Sequence, residues 1–109
     1  MDPRAQRVAK NETLFREVNE RIKDVNVEFA VDQPADFLCE CGSKDCTEPV
    51  GMSLSEYEGV RRDPTHFFIV PGHELPNVER ILSQNDRFAV AEKIARDAVE
   101  EAVETDPRA

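Results

Sequence analysis

The chain has 109 residues, of which 39% are hydrophobic and 34% charged, and it carries a net charge of -9 at neutral pH. That length predicts one domain spanning residues 1–109 with a modest core, and its apolar content is well above that of a disordered chain. The acidic balance repels polyanions and argues against a nucleic-acid partner, and no apolar run approaches the roughly 20 residues needed to cross a bilayer.

The opening Met1-Asp2-Pro3-Arg4 starts no secretory segment, so a cytoplasmic protein is expected. Asp2 can cap a helix whose first turn holds Pro3, a residue without the amide that would be orphaned there. That helix is predicted to reach about Val25. Val8, Asn11, Phe15, Val18, Ile22 and Val25 recur at helical spacing along one face. Two readings of the face stand side by side: packing on the domain's own core, or an interface with a second copy formed by Asn11, Phe15, Val18 and Ile22. Leu14 widens the stripe beyond a narrow coiled-coil seam and favours the first.

Pro34 ends helical conformation ahead of it, and a turn or loop is predicted there. Phe37 and Leu38 anchor a cysteine-bearing loop, and Pro49 and Val50 begin an extended piece. Ser53 and Glu56 form a capping box that starts a helix at Leu54. It is predicted to run to about Arg62, with Leu54, Tyr57 and Val60 inward and Asp63-Pro64 as its stop. Arg61 and Arg62 are read as favourable charges at the helix end. Phe67 to Val70 reads as a strand at or near a sheet centre, with Pro71-Gly72 as the turn after it. Residues 78–94 fit a hairpin turning at Asn85-Asp86, with Phe88, Val90, Glu92 and Ile94 on one face. A partly helical reading of the same span competes, because Ala89, Ala91, Glu92 and Lys93 are good helix formers. A short helix follows from Arg96. Fraying is expected at residues 1–4 and 104–109. The fold class is α+β: one long N-terminal helix, a metal-stabilised cysteine loop, a short central helix and a small, mostly antiparallel sheet.

The chemically specific feature is the cysteine set. Cys39, Cys41 and Cys46 are all the cysteines of the chain, and they fall within eight residues. Three thiols cannot all pair within one chain, and a reducing compartment favours metal ligation or free thiols. Cys39 and Cys41 point to the same side of an extended segment, whereas Cys46 lies in a polar stretch where burial as a mere hydrophobe is hard to arrange. Gly42 permits the tight turn that lets amides approach sulfur. A closed tetrahedral site needs one more donor. His73, in a tight turn after a core strand, is the first choice, with Glu74 or a carbonyl to accept its other ring proton. His66 is the alternative ligand, and Asp45, Glu40 or water would complete the set otherwise. His66 and His73 flank the strand and lie roughly 13 Å apart along an extended chain, too far for one ion. Zinc is favoured over iron, because a histidine completes zinc readily while the usual iron-sulfur cluster requires a fourth cysteine.

The segment Arg16 to Ile22, the cysteine cluster after Phe37-Leu38, Glu56-Tyr57, Val60-Arg61, Asp63-Pro64, the turn Pro71-Gly72-His73 and the closing Thr105-Asp106-Pro107-Arg108 are similar to those of a group of small uncharacterised stand-alone actinobacterial proteins. The similarity spans nearly the whole chain. The resemblance implies joint use of Cys39, Cys41, Cys46 and His73, and it implies no activity. The sequence contains no phosphate loop, H-x-x-x-H pair or serine elbow. The expected function is therefore a small zinc-stabilised protein-interaction or regulatory domain, with a protein partner or self-association and no small-molecule substrate. A metalloenzyme or thiol redox protein, using an open metal position or a reactive cysteine, is the alternative.

Overall fold

The computed structural model describes residues 3–26, 34–43, 46 and 48–108. Helix α1 spans Pro3–Asn26, strands β1 and β2 span Ala35–Leu38 and Pro49–Met52, and helix α2 spans Leu54–Arg61. Strands β3, β4 and β5 span His66–Ile69, Glu79–Gln84 and Ala89–Lys93, and helix α3 spans Arg96–Glu104. The fold is α+β, with a long N-terminal helix, a short central helix and two small antiparallel sheets rather than one. Among the described residues, no helix is long and apolar enough to cross a membrane. Asp2, the expected cap of α1, and the turn before Pro34 lie outside the described residues.

The first sheet is the β1–β2 ribbon, in which Phe37 opposes Val50 and Ala35 opposes Met52. These side chains share one pleat face, and all four are buried. Phe37 stacks on Tyr57 of α2 at 4.6 Å, and both rings meet Phe68 edge-on at 6.1 and 5.9 Å. Helix α2 begins with the predicted reciprocal cap: Ser53 Oγ accepts from the Glu56 amide, and Glu56 accepts from the Ser53 amide.

The second sheet has the order β3-β5-β4, so residues 78–94 form the hairpin and not a helix. Two strand expectations are corrected. Strand β3 lies at the edge of its sheet and β5 at the centre. Its outer edge is nevertheless covered by the cysteine segment, whose Glu40 amide donates to the Phe68 carbonyl at 3.0 Å and whose Glu40 carboxylate accepts from the Phe68 amide at 3.2 Å. A strand can therefore read as fully apolar while occupying an edge. On β5 the buried face is Ala89, Ala91 and Lys93, whereas Val90 and Glu92 are half-buried and Ile94 is exposed; Phe88, just before the strand, is buried.

Helix α1 departs furthest from the hydrophobic pattern. Its most buried side chains are Ala9, Glu12, Arg16 and Asn19, while Phe15, Val18 and Ile22 are half-buried, and Leu14 and Val25 are 57% and 64% exposed. The reason is that the surfaces beneath the helix are polar. Arg16 donates to the carbonyls of Pro64 and Ala102 at 2.8 Å each and lies over the Phe67 ring. Asn19 accepts from the Leu38 amide and donates to its carbonyl, closing the backbone of β1 on its open side. In the segment expected to fray, Arg108 bridges Glu20 of α1 and Glu58 of α2.

Candidate metal centre

The cysteines occupy the loop that joins β1 to β2. The Cys39 amide donates to the Glu48 carbonyl at 3.1 Å, extending the ladder by one step, and the Cys46 amide donates to the Ser43 carbonyl to close a turn. Gly42 has φ of 80°, and a β-carbon there would stand 2.7 Å from Val8 and Glu12 of α1. Both the handedness of the turn and the closeness of the helix therefore require glycine. Asn11 donates to the Gly42 carbonyl at 3.0 Å, so this residue of the proposed interface face is engaged with the cysteine loop of its own chain.

His73 arrives from the other side. The His73 amide donates to the Val70 carbonyl across Pro71-Gly72, with Gly72 at φ of 95°. Proline followed by a glycine of positive φ is the requirement of a type II turn. The turn delivers Nδ1 of His73 to 3.7 Å from the sulfurs of both Cys39 and Cys46. The donor atoms of Cys39, Cys41, Cys46 and His73 all lie within 4.8 Å of one another.

The donor set fits a tetrahedral ion. With metal–sulfur and metal–nitrogen bonds of about 2.3 and 2.0 Å, tetrahedral angles place sulfur and nitrogen about 3.5 Å apart. The observed 3.7 Å separations match this spacing. Amides also point at the sulfurs: that of Val70 donates to Cys39 at 3.2 Å, that of Ser43 to Cys41 and that of Glu48 to Cys46. Such bonds favour thiolate over thiol. Without an ion the thiols share protons unequally. The hydrogen bond given by Cys39 draws the Cys41 thiol down to about 4, while that same bond and burial push Cys39 up. Burial likewise raises Cys46.

The other ligand candidates are placed elsewhere. Asp45 lies outside the described residues. Glu40 turns inward to Arg61, which grips it through two bonds of 2.6 and 3.1 Å, and to Asn19 at 2.8 Å. One carboxylate oxygen of Glu74 is buried without a hydrogen-bond partner, so that oxygen does not accept a proton from His73. His66 sits with Asp63 and Glu92 in a separate cluster.

Two buried ionic groups escaped the sequence reading. One is the Glu40–Arg61–Asn19 network. The signal for it was the 3-4 spacing of Leu54, Tyr57 and Arg61, which puts the arginine on the inward face of α2 and not at its solvated end. The other joins Glu12 of α1 to Lys93, whose ammonium also lies 3.3 Å from Glu79 and 4.8 Å from the centre of the Phe67 ring. Glu12, Arg16 and Asn19 keep a helical 4-3 spacing, but a charged stripe ordinarily reads as a solvated face. No protein-family model, curated protein or solved structure matches the chain.

Proposed function

We propose that Cys39, Cys41, Cys46 and His73 hold one structural zinc ion and that the protein is a non-catalytic interaction or regulatory domain. The observation that carries this reading is the convergence of four donor atoms from two separate loops within 4.8 Å. Four protein ligands complete a tetrahedron and leave no position for a substrate. The ion would fasten the β1–β2 loop to the turn after β3, joining the two sheets. Thiolate ligation suits a reducing, cytoplasmic compartment. The net charge of -9 suits a protein partner with a basic surface and disfavours nucleic acid.

A thiol redox role is the competing reading. The low position of Cys41 favours it, because a thiolate is the reactive form. Elemental analysis of protein purified without added metal tests both. One zinc per chain, lost in His73→Ala, supports the structural centre. A metal-free chain that is folded and reacts rapidly with a thiol reagent at Cys41 sinks it in favour of the redox reading.

A further inference from the structure

A second set of donors stands at the opposite end of β3. We propose that Asp63, His66 and Glu92 form a solvent-open site for a divalent transition-metal cation, separate from the cysteine centre. His66 Nε2 lies 3.5 Å from Asp63 Oδ2 and 3.3 Å from Glu92 Oε2. With metal–nitrogen and metal–oxygen bonds of about 2.1 Å, tetrahedral geometry sets neighbouring donors about 3.4 Å apart. Both spacings meet that requirement.

The carboxylates are also oriented for it. Asp63 has Oδ1 occupied by the Thr65 amide at 2.9 Å and the Thr65 hydroxyl at 2.7 Å, which leaves Oδ2 turned to the ring. Glu92 has Oε1 occupied by Arg80 at 2.7 and 3.0 Å, which leaves Oε2 turned to the ring. In each case one oxygen is held by an outer donor and the other is presented, as outer partners do for metal ligands. The backbone fixes the relation between the two strands, since His66 and Glu92 are directly paired across β3 and β5.

The chemistry differs from that of the cysteine centre. One imidazole and two carboxylates form a harder donor set that suits zinc, manganese or cobalt and has no thiolate selectivity. The side chains are 21%, 47% and 25% exposed, so three protein ligands leave coordination positions to water. Two carboxylates against Arg80 leave one negative charge to attract the ion. An imidazolium bridging the same oxygens would satisfy them as well, and a titration separates the two.

Protein loaded with zinc and freed of excess is titrated with cobalt(II) alone, followed by calorimetry and absorption. The expected result is one further equivalent whose spectrum lacks thiolate-to-cobalt charge transfer. His66→Ala and Asp63→Asn, each checked for an unchanged circular dichroism spectrum, should weaken that equivalent by more than about tenfold. If either variant is misfolded, Glu92→Gln replaces it. The proposal is overturned if no further equivalent binds up to about 1 mM cobalt. It is equally overturned if the variants bind as wild type does, which marks an adventitious ion only. Failure of the cysteine centre is seen separately, as absence of thiolate charge transfer in protein reconstituted with cobalt throughout.

Discussion

Strand β3 separates two ligand clusters that are built in opposite ways. At the His73 end three sulfurs and a ring nitrogen converge beneath amides, with Cys39 and Cys41 buried; at the His66 end two carboxylates and a ring nitrogen face solvent. The closed cluster draws its donors from two loops, which the hydrogen bonds of Glu40 with Phe68 and of Val70 with Cys39 also hold together. The open one draws two of its donors, His66 and Glu92, from strands already paired through four register positions, and the third, Asp63, from the turn just before β3. An ion at the closed end would tie the β1–β2 loop to the turn after β3 through four bonds at once, whereas an ion at the open end would add to a backbone that is already fixed. Stability should depend on the first and hardly at all on the second.

The largest expected effect follows from removing the closed centre. Structural zinc in small domains contributes apparent binding energies of about 10 kcal/mol or more, which is folding energy when the unfolded chain holds no site. Cys39→Ser, or a strong chelator on wild type, should abolish the cooperative thermal transition followed by circular dichroism. A chelated protein that melts at the wild-type temperature would show that the aromatic cluster of Phe37, Tyr57 and Phe68 suffices alone.

Next is the buried pair behind that centre. Glu40 stands between two of the cysteines, and its bidentate contact with Arg61 is fully enclosed. Removing one partner of a buried pair leaves an uncompensated charge, at about 3–5 kcal/mol. Arg61→Ala should therefore lower the urea midpoint strongly and also weaken zinc retention against a competing chelator. The double change Glu40→Leu with Arg61→Leu should recover part of the loss. If Arg61→Ala destabilises but holds zinc as wild type does, the pair supports the fold and not the centre.

Much of this layout is legible in the sequence, and the reasons are local. The capping box at Ser53, the Pro71-Gly72 turn and the stop at Asp63-Pro64 are short-range chemistry, in which a few adjacent residues decide the backbone. The cluster of Cys39, Cys41, Cys46 and His73 could be assembled on paper because thiols and imidazoles are few. What could not be read was the identity of the surface opposite each element. The face of α1 is assigned by the helical spacing of its apolar residues and that of β5 by alternation, yet Glu12 and Lys93 are buried because they meet one another across 81 residues of chain. Periodicity reports which residues prefer a core, and such a pairing is invisible until helix α1 and strand β5 are both placed.

That pairing gives a third, smaller effect, one that connects both ends. Burial, reinforced by Glu79 and only partly opposed by Lys93, pushes the Glu12 carboxyl from its ordinary 4.5 up to about 8. One proton shared by two carboxylates and one ammonium leaves the group neutral. Between pH 4.5 and about 8 the unfolded chain has released this proton while the folded chain keeps it. Stability must then fall as pH rises through that window and level off above it, with the full contribution present below 4.5. Glu12→Gln mimics the protonated form. Its urea midpoint should exceed that of wild type increasingly from about pH 6 to about pH 8. Parallel midpoints for the two proteins would mean that Glu12 ionises normally and that α1 is held by other contacts.

The smallest effect belongs to the open end. Glu92 is held low mainly by Arg80 and secondarily by His66, and Asp63 is held low by Thr65 first. The Arg80 contact is exposed and the others are only part-buried, so salt screens the charges and water competes for them. With no added cation, His66→Ala should leave the urea midpoint within error of wild type at both low and high salt. With cobalt present at many times its dissociation constant, wild type alone should gain stability, by the logarithm of that ratio. A variant that unfolds without any metal would place His66 among the residues that hold the fold. The two ends of β3 would then differ in the softness of their donors but not in their structural weight.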